Sequence, residues 1–414
     1  MSTYSLKNIF NPKINFFFFL LCLYPWFLIS GPFLSDTIAI ILSIYYLFVK
    51  IKDRNLKDFN NAPFIIFCVF CLYILLNSII IAQNLVSIKS ALFFFRFGLF
   101  SLAVCFLLSE NQKKIKYFFF NFTLALILLF IDSIFQKLLG FNLIGIEMQS
   151  IRVSSFFGDE LILGSFVIKI FPIVLAFLYS LYSEKANKFS LAVIFMSIIP
   201  VVLSAEKASF ALMFLFLFLF LLIINFNIKI KFLILLFIFL TSSSLVILNK
   251  PIQKRLYHDL LSNSGGGKFI YSQMHDSHFR TAFKMFLDKP ILGHGPKMYR
   301  FKCNDKSYKI NELSCSTHPH NFILQILSEI GIIGFIFMLL FYGSLLKIFF
   351  RNLKEKKSNK DFYYMEYILT SSLLVIFFPL ATSGNLFNNW ISCLHFLNIG
   401  ILIYFMKSNQ NKIV

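Results

Sequence analysis

The feature that most constrains this chain is the recurrence of apolar runs about 20 residues long, separated by short polar connections, along almost its whole length. A bilayer core about 30 Å thick takes about 20 apolar residues per helix, so each run has the length of one crossing. Hydrocarbon cannot satisfy backbone polar groups. The runs lack the alternating pattern of barrel strands, which leaves the helix as the spanning element. Composition agrees, with 58% hydrophobic and 14% charged residues in 414, against roughly 45–50% and 25% in a soluble globular chain. The expected fold class is all-α: a polytopic transmembrane helical bundle of about twelve spans. The runs lie near 14–31, 35–49, 63–81, 91–108, 117–136, 161–182, 190–204, 209–226, 231–248, 322–349, 365–382 and 387–405.

A net charge of +20 raises nucleic acid as a partner, but the basic residues fall in short clusters between apolar runs rather than along one folded face. They read instead as topology signals, and no nucleic-acid partner is expected. Lys50, Lys52, Arg54 and Lys57, then Lys113, Lys114 and Lys116, Lys185 and Lys188, Lys229 and Lys231, and finally Arg351 to Lys360 mark one set of loops. The alternate loops hold almost none, Lys89 being an exception. The positive-inside rule then predicts both termini in the cytoplasm. The run from Phe16 to Ile29 lacks an A-x-A cleavage pattern and reads as a retained first span.

Two segments on the opposite, non-cytoplasmic side break the rhythm of short connections: a smaller one near 137–160 and a large one near 249–320. The chain therefore divides into spans one to nine (1–248), the large loop (249–320) and the last three spans (321–414). Loops of this length are functional or disordered. Only the SNSGGGK stretch (262–268) has a flexible composition. Six of the seven histidines, His258, His275, His278, His294, His318 and His320, fall in the large loop, with His395 in the last span. The close spacings of His275 with His278 and His318 with His320 invite a metal reading, but no H-E-x-x-H pattern or further ligand set accompanies them, so no metal or other cofactor is expected.

Ionisable residues within spans mark function or internal pairing. Arg96, Asp132, Lys169, Glu206, Lys207 and Glu329 are such residues, with snorkelling or ion pairing the plainer account of Arg96 and Lys169. Glu206 and Lys207 end a span in LSAEKAS, where a cation can meet an anionic head group or simply anchor the helix at the interface. Cys22, Cys68, Cys71, Cys105 and Cys393 lie in apolar runs as packing residues. Cys303 and Cys315 are the two cysteines of the large loop; on the oxidising side of the membrane they form a candidate disulfide, with two free thiols the alternative.

The stretch THPHNFILQILSEIGIIG (317–334) resembles the signature of the O-antigen ligase and O-antigen polymerase superfamily: a His followed by Asn at the end of the large loop, then a helix carrying Gly-x-x-Gly. Here these are His320, Asn321, Gly331 and Gly334. IDSIFQKLLGFNLIG (131–145), RVSSFFGDELILGSF (152–166), LSAEKASF (203–210) and FRTAFKMFLDKPILGHGPKMY (279–299) are similar to other parts of the same family, whose related region covers roughly 190–345. In the last of these Arg280 takes the place of the family's loop arginine, and Gly293 and Gly295 that of its Gly-x-Gly. Lys207 departs from the pattern, where arginine is usual.

The resemblance implies a metal-independent glycosyltransferase of the bacterial inner (cytoplasmic) membrane. Its donor would be a glycan on undecaprenyl diphosphate, and its acceptor a sugar hydroxyl of lipid A–core at the periplasmic face. The implied catalytic residues are His320, Arg280 and Lys207, with Arg152, Asn321, His318 and Glu206 in substrate binding; the base is His318 or His320, the latter preferred because Asn321 follows it. Two sister activities stay open: an O-antigen polymerase joining carrier-linked repeats, and a protein O-oligosaccharyltransferase. A transporter or flippase is disfavoured, because the polar residues concentrate in one loop rather than at a midplane between matching halves.

Overall fold

The computed structural model describes residues 15–148, 151–224, 227–248, 250, 271–355 and 363–410. The SNSGGGK stretch and His258 lie outside the described residues. The secondary structure is helical, and each apolar run corresponds to helix. In chain order these are α1 (Phe16–Cys22), α2 (Tyr24–Ser30), α3 (Pro32–Lys52), α4 (Ala62–Asn77), α5 (Leu85–Leu92), α6 (Phe95–Glu110), α7 (Ile115–Leu139) and α8 (Leu163–Leu181). They continue with α9 (Ser183–Leu203), α10 (Lys207–Ile223), α11 (Ile228–Leu248), α12 (Gln273–Asp288), α13 (Tyr299–Lys302), α14 (Phe322–Glu355), α15 (Tyr363–Ile376) and α16 (Asn389–Gln410).

Eight helical stretches among the described residues are long and apolar enough to cross a membrane, and α10 and α15 are shorter apolar helices. Three departures from the twelve expected spans have local causes. The first run is broken at Leu23, beside Pro25, into α1 and α2, because proline supplies no N–H to continue the ladder. α4 runs on into a π-turn (Ser78–Ala82), and α5 and α6 share one apolar run. The run expected to 382 stops being helical at Ile376, short of Pro379 and Gly384. The chain from 377 to 388 is irregular, and this segment builds much of the site described below.

Burial follows from the sequence. α8 is buried on nearly every side at the centre of the bundle, against α9 and α15. α4 instead presents Ile65, Ile66, Val69, Leu72 and Leu76 outward, as a helix against lipid does. α6 packs against both α16 and α3. Most of the ionisable residues in the runs are internally paired. Arg96 makes a two-pronged pair with Asp36 (Nε to Oδ1 3.0 Å, the second nitrogen to Oδ2 2.9 Å), and the Nζ of Lys169 donates to the Ser165 carbonyl at 2.8 Å.

The alternating connections gather at two ends. At one, Lys50 and Lys407 both pair with Asp58 (2.8 and 2.7 Å), and Arg351 pairs with Glu366. At the other lie the connection after α4, the 140–162 segment, the α9–α10 turn, the loop around α12 and α13, and residues 377–388.

Candidate active site

Two glycine motifs far apart in sequence form one interlock at this second end. α14 is broken at Gly331, whose φ of +65° and ψ of −167° lie outside helical space. The connection after α12 crosses the break: His294 N donates to the Ser328 carbonyl (3.1 Å), Gly295 N to Glu329 (2.6 Å), and Ile332 N to Pro290 (2.8 Å). A Cβ at Gly331 would sit 2.2 Å from the Ile291 oxygen, and one at Gly293 2.5 Å from the Glu329 carbonyl carbon. Only glycine allows both the left-handed backbone and this approach. Side chains of α4 fix the crossing from outside, with Asn77 donating to the Leu292 carbonyl and Tyr73 to that of Ile330, each at 2.6 Å.

This crossing holds α12 against the start of α14. Ser272 caps α12, its hydroxyl also 2.7 Å from His275 Nδ1. One face of α12 buries Ser277, His278, Thr281, Ala282 and Met285. Ala282 and Met285 pack with Tyr299 and Cys303 in a small apolar core of their own. Cys303 and Cys315 are joined as a disulfide, their Cα atoms 5.2 Å apart. The hydroxyl of Tyr299 donates to the Ser314 carbonyl at 2.6 Å. The segment leading to His320 is thus tied to the loop core at two points.

Four imidazoles meet there. The His320 ring centre lies 4.1 Å from that of His318, 5.3 Å from His278 and 5.4 Å from His275. His320 has a φ of +56°, a conformation that costs a non-glycine residue free energy and persists only where the surroundings fix it. Its fixture is the irregular 377–388 segment: Ser383 N donates to the His320 carbonyl at 2.9 Å, and Asn321 Nδ2 donates to the carbonyls of Pro379 (2.8 Å) and Ala381 (3.3 Å). Asn321 Oδ1 meanwhile accepts from Leu324 N at 3.1 Å, capping α14. One turn on, Gln325 donates to Asn385 (2.8 Å) and Glu329 (3.0 Å) and accepts from Leu386 N (3.0 Å).

The two candidate bases differ in their surroundings. His318 is buried, and its Nε2 lies 3.1 Å from the Ser383 carbonyl. That oxygen can only accept, so His318 Nε2 carries the proton and Nδ1 is left facing the Thr317 hydroxyl at 2.9 Å. Both nitrogens are committed. His320 is only partly buried, and its Nε2 meets the Ser316 hydroxyl at 3.0 Å, a group that rotates to donate or accept. Burial, then the neighbouring histidines, push the His320 imidazole down to about 3. Burial again, against a bond to the Ser383 carbonyl, pushes His318 down to about 4, with His278, Arg300 and His275 adding to the fall. Both rings are neutral near pH 7. Among the described residues no three His, Cys, Asp or Glu side chains are grouped as a metal site needs.

The other site residues expected from sequence fall in two places. Arg280 stands on the exposed face of α12, away from His278, with a carboxylate oxygen of Asp276 at 3.8 Å; the residues of this helix that face His320 are His275 and His278. Glu206, Lys207 and Arg152 belong to a second cluster. Glu206 accepts from Gly164 N (2.8 Å), Ser165 N (3.1 Å) and the Ser209 hydroxyl (2.8 Å), with Arg152 at 3.8 Å. Arg152 donates to the carbonyls of Ser204 (2.9 Å) and Leu161 (2.6 Å). Lys207, partly buried, opens α10. The 131–145 and 152–166 stretches likewise form one unit: Asp132 takes Leu143 N (2.8 Å) and the Ser155 hydroxyl, and Gln136 takes the amides of Ser154 (3.1 Å) and Ser155 (2.7 Å).

Residues that sequence reasoning missed are Ser383, Asn385 and Gln325, which brace the motif, and Lys297 and Arg300, two cations beside it. Pro379 inside an expected span, with Gly384 just past its end, was the available signal for the first group.

A family model described as O-antigen ligase matches residues 191–339, a stretch that holds Glu206, Lys207, α12, the glycine interlock and all four clustered histidines. No curated protein matches the chain. The match supports the O-antigen ligase-like superfamily and, with the helical bundle, a membrane glycosyltransferase of ligase or polymerase type.

Proposed function

We propose, on the premise of that O-antigen ligase match, that the chain transfers a glycan from undecaprenyl diphosphate to a sugar hydroxyl of lipid A–core at the periplasmic face of a bacterial inner membrane, with both termini in the cytoplasm. The observation that carries the reading is the His320 ring: partly exposed, neutral, and held in a strained backbone at the meeting point of α12, α14 and the 377–388 segment.

In this mechanism the acceptor hydroxyl gives its proton to a His320 ring nitrogen as its oxygen attacks the anomeric carbon. The carbon–oxygen bond to the diphosphate breaks, its electron pair leaves with the phosphate oxygen, and the anomeric centre inverts. A neutral imidazole is ready to accept a proton, but one depressed this far is a weak base. The bound diphosphate dianion corrects this, because a nearby negative charge favours the imidazolium. His320 is thus a base switched on by its donor. His318, with both nitrogens engaged, acts as its positioning neighbour. Lys207 at the head of α10 and Arg280 on the exposed face of α12 are proposed to meet the donor's anionic group as it approaches. Arg152 and Glu206 shape that region, since their groups are already spent on one another and on the backbone.

The test is the surface-glycan profile of a strain lacking the gene. Free lipid A–core together with accumulated carrier-linked polymer supports a ligase. Short chains of a single repeat identify a polymerase instead, and intact lipopolysaccharide with unglycosylated protein identifies transfer to protein.

A further inference from the structure

Lys297 and Arg300 stand just beyond the glycine interlock, one turn apart at the start of α13. The backbone that carries them is fixed: Met298 N donates to the Gly295 carbonyl (3.1 Å), Tyr299 N to the Glu329 carboxylate (3.1 Å), and Lys297 has a φ of +61°. Both side chains are partly buried, and among the described residues neither has a carboxylate within ion-pair distance. The Nε of Arg300 is fully enclosed and has no hydrogen-bond partner among the described residues.

The one carboxylate that acts on them is already engaged: Glu329 attracts both from beyond ion-pair distance, while its oxygens are held by Gln325 and the Tyr299 amide. The guanidinium of Arg300 is close enough to Lys297 and to His318 to repel protons from both. Two cations are therefore kept side by side and partly dehydrated, sharing the field of one carboxylate, Glu329, that forms an ion pair with neither. Such an arrangement is costly in a fold left to itself, and it stops being costly when an anion with several oxygens arrives.

We propose that Arg300, assisted by Lys297, holds the diphosphate of the lipid-linked donor next to the histidine cluster. This rests on the carrier-linked reading above and adds to it the residues that grip the leaving group. Arg300 offers the guanidinium fork that a phosphate oxygen pair matches, and Lys297 a point charge beside it. Placed there, the diphosphate lies beside His318 and within the field of His320, where its charge raises the base and its departure ends the reaction. Arg280 then belongs to the approach and Arg300 to the bound state.

The experiment compares undecaprenyl diphosphate with undecaprenol, which lacks the phosphates, as ligands for the purified full-length protein in nanodiscs, read by affinity and by melting temperature. Wild-type protein is expected to bind the diphosphate at least tenfold more tightly than the alcohol. Arg300→Gln is expected to lose most of that preference, Arg300→Lys to keep an intermediate share, and Lys297→Gln to lose a smaller part, all with unliganded melting temperatures near wild type. Inorganic pyrophosphate should compete in the wild type and not in Arg300→Gln. A folded Arg300→Gln protein with the full preference for the diphosphate overturns the assignment to Arg300. Should Arg300→Gln fail to fold, unchanged preference in both Arg300→Lys and Lys297→Gln overturns it equally. A wild-type protein that does not distinguish the two lipids overturns the carrier-linked reading itself.

Discussion

Ser383 grips both histidines of the loop motif: its amide donates to the backbone carbonyl of His320 at 2.9 Å, and its own carbonyl, 3.1 Å from His318 Nε2, accepts that ring's proton. One residue of the irregular 377–388 segment thus sets the strained backbone of His320 and the tautomer of its neighbour.

Asn321 makes the matching contacts on the other side, donating to Pro379 and Ala381 and capping α14 through Leu324 N. Asn321→Ala removes the cap and the strap together, and should lower stability by about 1–2 kcal/mol. Asn321→Asp keeps the cap acceptor and loses the donors. Its melting temperature should fall less than that of the alanine variant, while turnover falls in both because His320 loses its fixture. Melting curves and transfer rates on the two variants check this. Equal rates for both variants and the wild type would show that the strap is dispensable.

The two glycines of the Gly-x-x-Gly motif should not respond alike. At Gly331 a Cβ meets rigid backbone of Ile291 and Leu292 in a left-handed conformation, whereas at Gly334 it meets the Ile330 side chain. Gly331→Ala is expected to cost at least about 2 kcal/mol and to disrupt the site; Gly334→Ala should be milder, because a side chain can move. Expression level and melting temperature of the pair separate the cases. Equal effects would contradict the interlock.

Much of this was legible in the sequence, and what was not has a physical reason. Apolar length alone located the helices, because in lipid every backbone group must be paired within a helix. It could not show that the run to 382 ends at Ile376, since Phe377 and Phe378 look as lipid-compatible as the residues before them. His320 and Asn321 were visible as a motif, but what they touch is 60 residues away in sequence. Arg280 was expected at the reacting centre from its place in a local pattern; helical periodicity instead puts it opposite His278 and turns His275 and His278 toward His320. The cationic pair at Lys297 and Arg300 looked like ordinary loop charge, because an arginine nitrogen enclosed without a hydrogen-bond partner is recognised only once its neighbours are known.

The histidine cluster also predicts a pH response with a definite sign. His318 and His320 bind a proton less readily folded, at about 4 and about 3, than in the unfolded chain, near 6.5. The unfolded state therefore takes up more protons between these values, and stability that is present above pH 6.5 is lost as pH falls toward 4 and 3. Melting temperature should decline on acidification below about 6.5, and less steeply in a His318→Gln variant. For the same reason the acid limb of kcat/KM, which reports free enzyme and free substrates, should lie well below pH 6.5. A limb centred at 6.5 would mean that His320 titrates as an ordinary exposed imidazole.

The Cys303–Cys315 bridge closes a loop that carries Ser314 and ends just before the segment leading to His320. A loop of this length stabilises by about 3 kcal/mol through the unfolded chain, in a model-dependent way. Reduction, or the Cys303→Ser and Cys315→Ser double variant, should lower the melting temperature and slow transfer without preventing membrane insertion. Equal alkylation of thiols with and without prior reduction would show that the bridge does not form.

The proposed role of His320 as the base is read out by glycan transfer with purified His320→Ala protein. With a reconstituted lipid-linked glycan donor and its acceptor, turnover should fall by about 10²–10⁴-fold, while affinity for undecaprenyl diphosphate and the melting temperature at pH 7.5 stay close to wild type. Glycan transfer at the wild-type rate by a folded His320→Ala protein would contradict the account.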